Sequence, residues 1–182
     1  MFWKEKGNDK EDWNETADKA WSKEGISNAV KALLKESTPL FDSMVKQLDL
    51  FPDLRDMIEK ILYRGAKMPF NLDIKSVSIG TMFGFLKDKN GQIAISNRIF
   101  EMRMLYMFIA KESVHSEVFQ YAECSKNQFI KKERLDMDLV IQKFEEYFND
   151  IYGNNDEKFV EDYGRKFFLL YLKPIINGTG NY

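Results

Sequence analysis

Cysteine and histidine are almost missing from this chain: its 182 residues hold one of each, Cys124 and His115. A single cysteine excludes an internal disulfide and favours a reducing compartment. A zinc site of three or four His/Cys ligands would have to be completed by carboxylates, so no metal is expected. No run approaches the ~20 apolar residues of a membrane-spanning helix. The N-terminal MFWKEKGNDKEDWNE has no apolar core of signal-peptide length, so neither export nor a membrane partner is expected and the cytoplasm is the expected location. The N-x-[ST] sequons at Asn14 and Asn177 then read as chance matches. No G-x-x-x-x-G-K-[ST] occurs, so the loop that holds nucleotide phosphates is absent and no cofactor is expected. Excess charge is missing too. With 27 basic and 29 acidic side chains the net charge is -2, which argues against a strongly basic nucleic-acid binder while leaving room for a local basic patch. There is no internal repeat and no low-complexity segment.

What is present is core material, 44% hydrophobic with 31% charged, and a largely helical pattern. Ser22 can cap SKEGISNAVKALLKE, with Ile26, Val30, Leu33 and Leu34 along one face. Pro39 and Pro52 each stand where a first helical residue belongs. The second of these helices carries Leu54, Met57, Ile58, Ile61 and Leu62, and Gly65 follows as its left-handed stop. DIKSVSIGTMFG is a weaker helix, containing β-branched residues, Gly80 and Gly84. The G-x-x-x-G at 80–84 reads as close packing or a helix end.

Asn90-Gly91 between FLKDK and QIAIS is a hairpin signal. A two-residue type I′ turn pairs Asp88 with Ile93 and Leu86 with Ile95, which puts Leu86, Ile93 and Ile95 on one face. Asn97 can cap RIFEMRMLYMFIAKE, whose apolar stripe is wide enough for contact on two sides. The order of helix, helical segment, hairpin and helix is winged-helix-like, with KDKNGQ as the wing. The fold class expected is therefore mainly α with a small β-hairpin, a winged-helix-like unit followed by a helical region. Beyond it SVHSEVFQYAEC reads as a helix and KNQFIKKERLD as a polar connector. Asp136 or Asp138 starts a helix with Val140, Phe144, Tyr147 and Ile151 on one face and Gly153 as its stop. Asn155 or Asp156 starts the last helix, which Pro174 ends. The organisation expected is 1–112 as the helical segment plus winged-helix-like unit, 113–135 as connector, and 136–182 as a helical hairpin.

Candidate chemistry is sparse. Nucleophilic use of His115 and Cys124 also needs an orienting group and an oxyanion site, for which no signal exists; a packed cysteine and a half-exposed histidine are the alternative. Pro52-Asp53 with Asp73-Ile74-Lys75 mimics the spacing of metal-dependent nucleases, whose carboxylates converge from adjacent strands, yet Pro52-Asp53 opens a periodic helix. Charge by region says more. Residues 66–112 carry 7 basic and 4 acidic side chains, whereas 1–65 carry 11 and 13 and 113–182 carry 9 and 12. Lys75, Lys87 and Lys89 are thus candidate phosphate contacts for DNA, although SVSIGTMFG has almost no Arg, Asn or Gln to read base edges.

GTMFGFLKDKNGQIAISNRIFEMRMLYMF, with WSKEGISNAVKALL, LRDMIEKILYRG and DEKFVEDYGRKFFLLYLKPIINGTGNY, resembles a bacterial arrangement: AAA-like ATPases whose C-terminal end carries a PD-(D/E)xK nuclease-like domain. The similarity covers nearly the whole chain. Its most specific parts are the G-F-x-K…N-G…I-S-N-R-I-F-E and G-R-K-F…L-K-P-I-I-N-G-x-G blocks. In that family the ATPase core precedes the segment matching Trp21 onward, and the nuclease-like strands follow the segment matching Tyr182. The resemblance therefore implies that INGTGNY leads into a missing nuclease-like domain, with an apolar face of 156–182 left uncovered and prone to self-association. The ATP-binding residues and the acid-x-lysine site both lie outside these residues, so neither activity transfers. Glu161 matches the helix where such folds often carry a supporting acid, with a solvated surface acid as the alternative. The function expected is a non-catalytic regulatory or scaffold segment that couples a nucleotide module to an effector domain; the alternative is a free-standing winged-helix DNA-binding regulator. No catalytic residue is expected in this chain.

Overall fold

The computed structural model describes residues 20–131, 134–153 and 157–177. Two compact units divide the chain, Met1–Ser43 and Met44–Tyr182. The stretch 113–135, expected as a connector between domains, lies inside the second unit. In the first unit α1 (Lys23–Lys35) is capped by Ser22, whose Oγ accepts from the Gly25 amide at 3.0 Å. The Thr38 hydroxyl accepts from the Phe41 amide at 3.3 Å where α2 (Pro39–Leu50) begins.

The second unit is helical around one small hairpin. Its elements after α2 are α3 (Pro52–Arg64), α4 (Lys75–Met82), β1 (Leu86–Lys89), β2 (Gln92–Ile95) and α5 (Arg98–Ser113). Then come α6 (Glu117–Ser125), a 3-10 turn (Lys126–Phe129), β3 (Ile130–Lys131), β4 (Arg134–Leu135), α7 (Met137–Tyr152) and α8 (Glu157–Asn177). Local chemistry sets most of these ends. Pro52 opens α3 without needing an amide, and Gly65 closes it at φ 63°. Asn97, Ser116 and Asp136 cap α5, α6 and α7 by accepting from the amides of Phe100, Phe119 and Leu139.

The hairpin register is the expected one, Leu86 opposite Ile95 and Asp88 opposite Ile93. Asn90 and Gly91 both take positive φ, 57° and 79°, as a type I′ turn requires, and the Asp88 carboxylate accepts from the Gly91 amide at 2.7 Å. A valine at 91 would be forced into a left-handed conformation that a β-branched residue resists. Gly91→Val is accordingly expected to cost about 1–3 kcal/mol and to lower the midpoint of a thermal melt followed by circular dichroism; an unchanged midpoint would show that the turn is not under this constraint. The other edge of β2 is lined by Met68–Phe70: the Ile93 amide donates to the Met68 carbonyl and the Phe70 amide to the Gly91 carbonyl, each at 2.9 Å. Pro69 stands at this edge, where its missing amide is tolerated.

A mainly helical fold with a small hairpin is what forms. The winged-helix-like detail is not confirmed. A helix-turn-helix pair joins its helices by three or four residues, whereas here residues 65–74 separate α3 from the eight-residue α4.

Several other expectations are corrected. The polar connector KNQFIKKERLD, 126–136, holds a 3-10 turn and the β3–β4 pair, and Phe129 within it is fully buried. A lone aromatic among polar residues leaves no period to read, yet it packs edge-on to Tyr171 with ring centroids 6.1 Å apart. The buried side of α7 runs through Val140 and Phe148 with Phe144 half-buried, and Ile151 is exposed. Pro174 does not end α8, which continues to Asn177 with the proline inside it; its ring and absent amide act on the Leu170 carbonyl, one turn earlier. The uncovered face expected on this helix is not found in its described part. α8 packs against α3, α5, α6 and α7; Leu170, Tyr171 and Ile175 are buried, and Phe168 and Leu172 are half-buried. Residues 178–182 and the expected cap at Asn155 or Asp156 lie outside the described residues.

Candidate functional site

An open groove of about 740 Å³ runs along the hairpin. One wall is the end of α3 and the residues after it, Ile61, Leu62 and Lys67. The other is the hairpin with the first turn of α5, including Lys87, Lys89, Arg98 and Glu101, and Arg165 of α8 joins them. Ile61, Leu62, Ile93, Ala94 and Ile95 give the groove its apolar part. Five cationic side chains, Lys67, Lys87, Lys89, Arg98 and Arg165, face two anionic ones, Asp88 and Glu101.

The two carboxylates are already engaged. Asp88 binds the turn amide of Gly91, and Glu101 accepts from Arg98 at 2.7 Å. Lys87 Nζ donates to the Ser96 carbonyl at 2.7 Å, which holds the ammonium beside β2. Among the described residues Lys67, Lys89 and Arg165 form no ion pair. The arrangement presents positive charge over an apolar strip, suited to holding an extended anion.

Lys87 and Lys89 thus lie together as expected. Lys75 does not join them: it is the exposed first residue of α4 and is absent from the groove walls. Lys67, Arg98 and Arg165 were not anticipated. Lys67 follows the left-handed Gly65, and Arg165 reaches the groove through the packing of α8 on α3, which no local pattern encodes. Glu161 is exposed on α8. Among the described residues no three His, Cys, Asp or Glu side chains converge to hold a metal ion, and Asp53 and Asp73 lie in a helix and a turn rather than on paired strands. Cys124 and His115 are both exposed, not packed and half-exposed, because each falls on the outer side of its segment. No described helix is long and apolar enough to cross a membrane. Comparison with protein-family models, with curated proteins and with solved structures finds no match to this chain.

A smaller cavity of about 110 Å³ lies between α3 and α8, lined by Asp56, Glu59, Lys60, Tyr63, Arg64, Tyr163 and Lys166. Two of its charged residues are paired with neighbours outside the lining, Glu59 with Arg55 at 2.9 Å and Lys166 with Glu112 at 3.0 Å. Burial pushes the Tyr63 hydroxyl well above its usual pKa, and the nearby Glu59 and Glu112 carboxylates add to this. It reads as an interhelical packing site.

Proposed function

We propose that this chain is a non-catalytic coupling segment of an AAA-like ATPase, the helical and hairpin part that joins a nucleotide-binding module to a PD-(D/E)xK nuclease-like domain. One observation carries this reading. The two blocks that bear the resemblance lie far apart in sequence, yet Lys87, Lys89, Arg98 and Glu101 of the first and Arg165 of the second line the same groove. α8, packed on α3, α5, α6 and α7, is the rigid element through which a displacement at one block would reach the other. On this reading the protein works in the cytoplasm, its partners are the ATPase core and the nuclease-like domain, and ATP is bound elsewhere. Calorimetric titration of the chain with magnesium-ATP should therefore give no binding heat; micromolar ATP affinity would overturn the proposal. The excess of cations in the groove supports a second reading, a free-standing DNA-binding regulator, which requires preference for one duplex sequence over another.

A further inference from the structure

The geometry points to the groove as a sequence-independent site for the sugar–phosphate backbone of duplex DNA, with Lys67, Lys89 and Arg165 as its phosphate contacts. This goes beyond a coupling role, which needs no nucleic acid. The charge is the first ground. Among the described residues the groove walls carry five cationic side chains and two carboxylates; Glu101 is paired with Arg98, and Asp88 keeps its charge while accepting from the Gly91 amide, so cations exceed carboxylates by three.

Placement is the second. On β1 Lys89 is the cation left to a phosphate, because Lys87, two residues before it, is held by the Ser96 carbonyl. Arg165 adds a cation from a different element and Lys67 another from the loop after α3, so the positive charge extends along a groove rather than converging on one point. That suits a polyanion better than a single phosphate.

The side chains that are missing decide the form of nucleic acid. Among the described residues no aromatic lines the groove, whereas single-strand sites rely on aromatic platforms for stacked bases. Base reading is thin: Asn97 is committed to capping α5 through the Phe100 amide, Asn90 is held in the left-handed turn, and Gln92 is the one further amide side chain in the described walls. Contact to phosphates therefore predominates, and it positions a duplex without reading it.

The test uses the full chain and a fluorescent 30-base-pair duplex of mixed sequence, followed by anisotropy over graded salt. Three phosphate contacts predict a slope of about -3 in log affinity against log salt. Lys67→Ala, Lys89→Ala and Arg165→Ala should each weaken binding about three- to tenfold and reduce the slope by about one, with the thermal midpoint checked to show that each variant is folded. Lys75→Ala, outside the groove, should bind as the parent does. Several results would overturn the inference: no binding at low salt, equal loss with Lys75→Ala, tighter binding of a single strand, a preferred duplex sequence, or displacement by polyglutamate as effective as by unlabelled duplex. The last would identify an acidic protein segment as the occupant. None of these results depends on ATP, so the coupling proposal stands or falls separately on the nucleotide titration.

Discussion

Tyr171→Ala is expected to remove about 3–5 kcal/mol of unfolding free energy, while Tyr171→Phe leaves stability unchanged or raises it. The residue is fully buried, and its ring sits among those of Phe144, Phe129, Tyr121 and Tyr147, with centroids 5.4, 6.1, 6.3 and 6.3 Å away. Truncation to alanine loses these contacts and leaves a cavity that three helices and the 3-10 turn would have to collapse to fill. The hydroxyl has the opposite sign. It is buried with no hydrogen-bond partner, and a buried polar group without a partner costs about 1–3 kcal/mol relative to water. Burial also pushes its pKa well above the usual tyrosine value, as for a phenol that must stay neutral. Phenylalanine keeps the ring and drops the penalty. Urea unfolding of the two variants beside the parent, with slopes compared, measures both effects. A loss in Tyr171→Phe near that of the alanine variant would mean that the hydroxyl, not the ring, is what the core requires.

Gly80→Val is the second large loss, about 1–3 kcal/mol from overpacking. Gly80 lies on the face of α4 that meets both β1 and α3. A Cβ built there would stand 2.5 Å from Leu86 Cδ1, 2.7 Å from Leu86 Cγ and 2.9 Å from Leu54 Cδ1. Both leucines are themselves buried, at 2% and 0% exposure, so neither moves aside without disturbing its own neighbours. The close approach therefore outweighs the roughly 1 kcal/mol that a helix gains on losing an internal glycine. The loss should appear in thermal melting, and Ser78→Ala, an exposed change on the same helix, is the control expected to be near neutral. Equal midpoints for Gly80→Val and the parent would place α4 further from the hairpin than these distances state.

Much of the local structure was legible in the sequence because its causes lie within a few residues. Caps at Ser22, Asn97 and Asp136, prolines at the head of α2 and α3, and Asn90-Gly91 between alternating strands each act through a neighbour's amide or a fixed φ. The failures share a different cause. Phe129 is buried because it packs against Tyr171, distant in sequence, not because its neighbours make a pattern. Ile151 is exposed because α7 presents Phe148, one turn before Tyr152, to the core in its place. Pro174 looked like a terminator, yet α8 runs on through it to Asn177, one turn beyond the point where its missing amide breaks the ladder. The groove was half legible: charge counting picked out Lys87 and Lys89, but Arg165 reaches them only once α8 is packed, and Lys75, equally basic, is not among the lining residues.

The position of α8 in the chain bears on how the protein is made. Its partner α3 lies about a hundred residues earlier, and pairings of such separation close slowly because the intervening loop must be ordered first. During synthesis α3, α5 and α6 emerge with apolar sides that have no lasting cover until the residues up to 177 have been added. The nascent chain thus passes through a stage in which the sides of α3, α5 and α6 that α8 packs against are open to other chains or to chaperones. The helix that arrives last among those described is the one that ends this exposure.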